Sequence, residues 1–227
     1  MRVLDLFCGA GGCSVGYHRG FTAAGLELEI VGVDNRPQPN YPYQLIRADA
    51  MTYPLDGFDF VHASPPCQFA TTMSNRHRGH GGKADAHANL IELTRDRLEA
   101  HGAPWVIENV PGAKRWMRSA LTLTGGMFGL GVYRPRLFDS SELILSLSRA
   151  TPPVGALGVY GKMDGRRVWT RADGTEQRAA STLDQASEAM GIDWMTWDEL
   201  KEAIPPAYTE FLAAQIAPTL EGRKAAA

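Results

Sequence analysis

Cysteine is scarce in this chain. Cys8, Cys13 and Cys67 are an odd set without paired spacings in 227 residues, which excludes a disulfide scaffold and matches usage in a reducing compartment. Six histidines include no spacing that fits a zinc-ligand pattern, so no metal is expected. Long apolar runs are missing as well: none approaches the roughly 18 residues of a membrane span. The opening Met1-Arg2-Val3-Leu4-Asp5-Leu6 carries an acid inside its apolar stretch, unlike a secretion signal. Nor does one charge sign dominate. With a formal net charge of -2, any polyanionic partner has to be met by local basic patches. These absences lead us to expect a cytoplasmic monomer without a membrane partner, built around one core with at most one excursion.

What is present begins with a strand, a glycine turn and a helix. Val3 to Phe7 is apolar, Cys8-Gly9-Ala10-Gly11-Gly12 follows at once, and Cys13 to Ala24 reads as helix. That order opens a nucleotide-binding α/β unit, in which glycines let the backbone approach a ligand at the helix start. A glycine turn alone is often only a tight turn. The acids that follow add weight to the ligand reading. Leu28 to Val33 is a second strand ending at Asp34-Asn35, and Tyr43 to Ile46 a short third one leading to Asp49-Ala50. In a doubly wound sheet the carboxyl ends of the strands share one crevice, so Asp34 and Asp49 are expected to face the same ligand.

Phe58 to Ala63, the fourth strand, runs into Ser64-Pro65-Pro66-Cys67-Gln68. Each proline fixes its own φ and biases the residue before it toward extended geometry, so Cys67 is presented by a stiff backbone. A lone cysteine is more often a buried packing thiol. Here the thiol arrives at the same sheet edge as the acids, which suits a nucleophile. Cys8 and Cys13 read as packing residues. Asn75 to Lys83, rich in glycine and basic residues, reads as a lid that closes over the thiol.

Asp85 to His101 reads as a helix with Leu90, Ile91, Thr94 and Leu98 inward, and Pro104 to Ile107 as a strand ending in Glu108-Asn109. Another acid thus stands at a strand end, able to protonate or hold a basic ring nitrogen. Arg134-Pro135-Arg136 sets at least one guanidinium at the start of a strand. From 151 to 181 the chain turns glycine-rich and basic, with a hairpin expected from Val168–Arg171 and Glu176–Ala179 about Asp173-Gly174. Leu183 to Met190, Trp197 to Ala203 and Ala207 to Ala217 read as helices. The tail from Arg223 reads as frayed.

Taken in order, these motifs resemble those of the DNA cytosine-5 methyltransferases over most of the chain. Asp5 to Gly12 is similar to the family's cofactor loop, Pro65-Pro66-Cys67-Gln68 to its nucleophile motif, Glu108-Asn109-Val110 to its acid motif and Arg134-Pro135-Arg136 to its arginine pair. The resemblance implies a Rossmann-like class I S-adenosylmethionine-dependent methyltransferase fold, α/β with a mostly parallel doubly wound sheet. It implies a catalytic core over 1–150, a short basic insertion over 151–181 in place of a target-recognition domain, and completing helices over 182–222. S-adenosylmethionine is the implied cofactor, held by Phe7, Cys8, Gly9, Ala10, Gly11, Gly12, Asp34, Asn35, Asp49, Ala50 and Pro66. Asp34 takes the ribose, Asp49 the adenine. Cys67, Glu108, Asn109, Arg134 and Arg136 are the implied catalytic set, and DNA, with RNA as the alternative, is the implied partner.

The sequence departs from the family at three places. Asp34 stands where the ribose acid is usually Glu, Ser64 where Gly usually precedes the prolines, and Glu202-Ala203-Ile204-Pro205-Pro206 where Gly-Asn-Ala-Val-Pro is usual. The compact insertion resembles phage members, which implies a host-cell cytoplasm and a short or relaxed target preference. A catalytically idle cofactor- or DNA-binding regulator is the reading from another class. It has no physical need for Cys67, Glu108 and Arg136 together.

Overall fold

The computed structural model describes residues 1–66, 89–146, 155–170, 174 and 176–226. Strands β1 (Arg2–Leu6), β2 (Glu29–Asp34), β3 (Gln44–Arg47), β4 (Phe60–Ala63), β5 (Trp105–Asn109), β6 (Leu121–Leu123) and β7 (Arg136–Ser140) form one seven-stranded sheet in the order β3-β2-β1-β4-β5-β7-β6. The first five are parallel, and β7 runs antiparallel to both β5 and β6. Five parallel strands deliver their carboxyl ends to one rim. The reversed β7 delivers its start, Arg136, to that same rim, with Leu137 opposite Asn109.

Each face of the sheet has its own cover. Helix α1 (Gly12–Ala23) and the long helix α5 (Pro206–Ala226) lie on the side of Val3, Phe60, Val106 and Phe138. Helix α2 (Leu90–His101) lies on the side of Leu4, Val61, Ile107 and Leu137. The alternation of strand side chains assigns the polar residues too. Asp5, His62, Glu108 and Arg136 share the α1 face, whereas Asn109 and Asp139 share the α2 face. The second face holds Arg95, whose Nε and Nη2 donate to Asp139 Oδ2 at 3.2 and 3.0 Å.

Glycines let α1 and α5 touch backbone to backbone. A methyl group at Gly12 would lie 2.2 Å from the Ile204 carbonyl oxygen, one at Gly16 2.1 Å from that of Pro206, and one at Gly20 2.6 Å from the Ala213 Cβ. Thr209 closes the seam by donating to the Cys13 carbonyl at 2.9 Å. This contact carries the Ala203–Pro205 stretch over the start of α1, beside the glycine turn.

A smaller three-stranded sheet, β8 (Leu157–Gly158), β9 (Val168–Thr170) and β10 (Glu176–Ala179), has β10 in the middle. The expected hairpin is the β9–β10 pair, with Gln177 opposite Trp169; Arg171 and Asp173 lie outside the described residues. Helices α3 (Leu183–Met190) and α4 (Trp197–Glu202) follow, α4 opening with a capping box of Thr196 and Glu199.

Several expectations need correction. The tail is not frayed before Ala226: α5 runs on through Pro218, and Arg223 donates to the Gly102 carbonyl at 3.0 Å. Helix α2 is described from Leu90, which is half-buried, and its inner face also carries Arg95. Strand β4 starts at Phe60 rather than Phe58, because the turn before it closes with Phe58 N–H on the Leu55 carbonyl. Among the described residues no helix is long and apolar enough to cross a membrane.

Candidate active site

The cofactor-type loop leaves β1 with an abrupt reversal. Phe7 has φ 59°, Gly9 50° and Gly11 85°. These left-handed angles suit the glycines and strain Phe7. They aim Gly9 N–H at Asp34 Oδ2, 3.1 Å away, while Asp34 Oδ1 takes the Arg36 N–H at 2.9 Å. The carboxylate at the end of β2 thereby pins the turn after β1. A methyl group added at Gly9 would meet nothing within 4 Å, so the turn is open above it. At Gly11 it would meet Pro42 and Tyr41 at 2.8 and 2.9 Å, so the other side is closed. Cys8 N–H donates to the Val33 carbonyl and Ala10 accepts from Trp194 Nε1 at 3.0 Å.

The other residues of this group lie along the same rim. Asp49 Oδ1 takes the Met51 N–H at 2.9 Å, and the Asn35 carbonyl accepts from Arg47 Nε at 3.3 Å. Ala50 is buried and its carbonyl accepts from Arg97 Nη1 at 2.7 Å; Pro66 is exposed. Under the loop, Asp5 is 1% exposed. Ser14 donates to its Oδ2 at 2.5 Å, and Oδ1 has no partner among the described residues. Burial, with the charges of Asp34 and Glu108 nearby, pushes the Asp5 carboxyl up to about 7.

Glu108 and Arg136 meet on the α1 face at the end of β5. They are 5% and 8% exposed, with Arg136 Nε 3.1 Å from Glu108 Oε1. Oε1 nonetheless makes no hydrogen bond among the described residues. Burial raises the Glu108 pKa, while Arg136, the Ser64 hydroxyl and Arg134 pull it back. A carboxyl so placed keeps its proton more readily than a solvated one and is not locked by its partner.

Asn109 points to the opposite face, where its Nδ2 donates to the Pro65 carbonyl at 3.0 Å and its Oδ1 accepts the Val110 N–H at 3.0 Å. It joins the acid strand to the proline pair. Cys67, the stretch Asn75 to Lys83 expected to form a lid and the rest of 67–88 lie outside the described residues.

Arg134 is committed elsewhere. It has φ 33°, is 1% exposed and donates to the carbonyls of Ala203, Val159, Leu200 and Lys201 at 2.8, 3.2, 3.2 and 2.6 Å. One guanidinium thus ties the start of β7 to the small sheet and to α4. Cys8 and Cys13 are free and buried, and burial raises both thiols, as packing residues require.

Sequence reasoning missed His62. It sits inside a strand that reads as apolar, 0% exposed, with Nδ1 3.0 Å from the Tyr17 hydroxyl and Nε2 3.0 Å from the Ser64 hydroxyl. Burial drives its pKa down to about 3, so the ring is neutral. An imidazole within a buried strand was the one available signal.

No protein-family model matches the chain, and no curated protein does. Among solved structures, the chain is similar to the methyltransferase EhMeth of Entamoeba histolytica, at 14% identity over 99% of this chain and 98% of that one, with a TM-score of 0.59. Weaker likenesses are an RNA methyltransferase of Salinibacter ruber in complex with S-adenosyl-L-homocysteine (12% identity, 65% and 86% covered, TM-score 0.33) and the CMeT domain of the citrinin polyketide synthase (14%, 61% and 45%, 0.32). The mostly parallel seven-stranded sheet and the full-length likeness to EhMeth together make this a Rossmann-like α/β fold of the kind that methyltransferase has.

Proposed function

We propose that the chain transfers a methyl group from S-adenosylmethionine to C5 of cytosine in DNA, by way of a covalent Cys67 adduct at C6. The observation that carries this reading is the Asn109 amide on the Pro65 carbonyl, 3.0 Å away. It ties the segment ending in the buried acid Glu108 to the stiff segment that leads, two residues on, to Cys67.

The rim residues fit the cofactor. The open space above Gly9, the turn pinned by Asp34 and the buried Asp5 Oδ1 beneath it, unpartnered among the described residues, make a polar cradle for a charged ligand. Phe7 to Gly12, Asp34, Asn35, Asp49, Ala50 and Pro66 would hold S-adenosylmethionine there. When bound, it supplies an electrophilic methyl on a sulfonium.

The chain's own residues do the rest. Cytosine C5 is a poor nucleophile until the ring loses aromaticity. The Cys67 thiolate adds to C6, and Glu108, whose burial favours the protonated form, donates to N3 so that the electron pair moves to C5. After the methyl is taken, a solvent base removes the C5 proton, the C6–S bond breaks, the thiolate returns and N3 gives its proton back to Glu108. Arg136 holds the base oxygen and Glu108 together, and Asn109 sets the spacing. Arg134 braces the rim from behind. The ring's C6 is inaccessible inside a duplex stack, so the base has to be extruded. Exposed Lys162, Arg166, Arg167 and Arg178 on and beside the small sheet offer phosphate contacts.

The test is transfer of labelled methyl from S-adenosylmethionine to duplex DNA, single-stranded DNA and transfer RNA, with nucleosides separated by mass spectrometry. 5-Methylcytosine from DNA is expected. Label in RNA cytosine alone moves the substrate to RNA, and no label in any nucleic acid overturns the reading.

A further inference from the structure

Beneath the proposed acid lies a line of polar side chains that the chemistry above does not use. Tyr17 on α1, His62 on β4 and Ser64 after it follow one another on the α1 face. The hydroxyl of Tyr17 is 3.0 Å from His62 Nδ1, and His62 Nε2 is 3.0 Å from the hydroxyl of Ser64. Tyr17 and His62 are both 0% exposed. Ser64 is half-buried, and the parallel register of β4 on β5, with His62 opposite Val106 and Ala63 opposite Ile107, sets it beside Glu108 on the same face.

The direction of these bonds follows from counting donors. The Tyr17 hydroxyl makes no other hydrogen bond among the described residues, and a buried O–H left without an acceptor is costly, so it donates to Nδ1. A neutral imidazole carries one N–H. With Nδ1 accepting, that N–H is on Nε2, and it donates to the Ser64 oxygen. The Ser64 proton is then free for another acceptor, and a carboxyl oxygen is a far better one than a thiol. The opposite order would leave the Tyr17 proton stranded in the core.

We propose that Tyr17, His62 and Ser64 form a one-way hydrogen-bond relay whose Ser64 end positions Glu108, making all three positioning residues for the transfer reaction. The part of this that concerns catalysis rests on Glu108 being the acid of the proposed function. The relay answers the departure noted at Ser64: a glycine there has no hydroxyl to hand on, and a neutral His62 would have nothing to donate to. It also sets how readily Glu108 ionises. The other groups facing that carboxyl are Arg136 and Arg134 around the start of β7, Asp5 on β1, Cys13 on α1 and Tyr208 on α5. Of the groups that favour its charged form, Ser64 is the uncharged one, and it can be removed without leaving a buried charge unpaired.

Two readouts on the full chain decide this, and neither needs turnover. Long-range proton–nitrogen spectra of histidine-labelled protein should show His62 neutral from pH 5.5 to 8, with its proton on Nε2, and Tyr17→Phe should shift the Nδ1 resonance. Titration of Glu108 by carboxyl carbon NMR should move to higher pH in Ser64→Ala and in Ser64→Gly, and return in Ser64→Thr. Where the chain transfers methyl, kcat at neutral pH should fall about tenfold in Ser64→Ala with little change in KM for DNA. A proton on Nδ1, or a Glu108 titration unmoved by both Ser64 variants, overturns the relay. Failure of the wild-type chain to methylate cytosine would instead sink the proposed function, and the two spectra would still judge the relay.

Discussion

At one end of strand β7, Asp139 accepts from Arg95 Nε and Nη2 and from the N–H groups of Arg118 and Ser119. At the other end, Arg136 lies 3.1 Å from Glu108 Oε1, which makes no hydrogen bond among the described residues. Both pairs are buried, and both join β7 to a neighbouring element. The first is saturated, whereas the second is left short of partners among the described residues. A buried carboxylate surrounded by donors holds structure and has no capacity left for a ligand. A buried carboxyl with a spare oxygen at a strand-end rim is costly to maintain, and that cost is tolerated where chemistry needs the oxygen.

The largest effect should come from breaking the saturated pair. Asp139→Ala leaves the Arg95 guanidinium buried and unpaired and should cost about 3–5 kcal/mol of stability in urea unfolding. Replacing both, as Arg95→Met with Asp139→Leu, should recover most of it. If Asp139→Ala alone is neutral, the division of labour along β7 is wrong.

A second carboxyl sharpens the contrast through pH. Asp5, raised from 3.8 to about 7, binds its proton more tightly in the folded chain than in the unfolded one. Its contribution to stability is therefore fully present below about pH 4 and lost as pH rises through about 7, by something on the order of a few kcal/mol. Thermal melts should be higher at pH 5 than at pH 8, and Asp5→Asn should shrink the difference.

Breaking the unsaturated pair should act on rate instead of stability. Glu108→Gln should lower methyl transfer about 10²-fold or more while leaving the melting temperature level or raised, because it removes an underpartnered buried acid. The smallest effect is expected at Arg134. Lysine cannot reach four carbonyls in a planar fork, so Arg134→Lys should cost about 1–3 kcal/mol by denaturant titration.

The same contrast explains what the sequence made legible. The β1–turn–α1 unit announced itself because glycines, an apolar run and a helix are local signals, and the rim acids Asp34, Asp49 and Glu108 stood at strand ends for the same reason. Cys67 was singled out by its prolines. Arg95 was not, because the inner face of α2 reads apolar and its partner Asp139 is 44 residues away. Arg134 read like Arg136 because nothing local reveals acceptors 66 to 69 residues downstream in α4 and after it. Strand β6, Leu121–Leu123, is three residues at a sheet edge and carries too little pattern to stand out. His62 hid inside an apolar run, since only the packing of α1 on β4 supplies the tyrosine that makes an imidazole tolerable there.

Adduct formation with a 5-fluorocytosine-containing duplex and S-adenosylmethionine, read by intact mass and peptide mapping, tests the central claim most directly. The wild-type chain should gain the mass of the strand at Cys67, Cys67→Ala should gain none, and Glu108→Gln should gain it far more slowly. An adduct at Cys8 or Cys13, or full trapping by Cys67→Ala, would contradict the account.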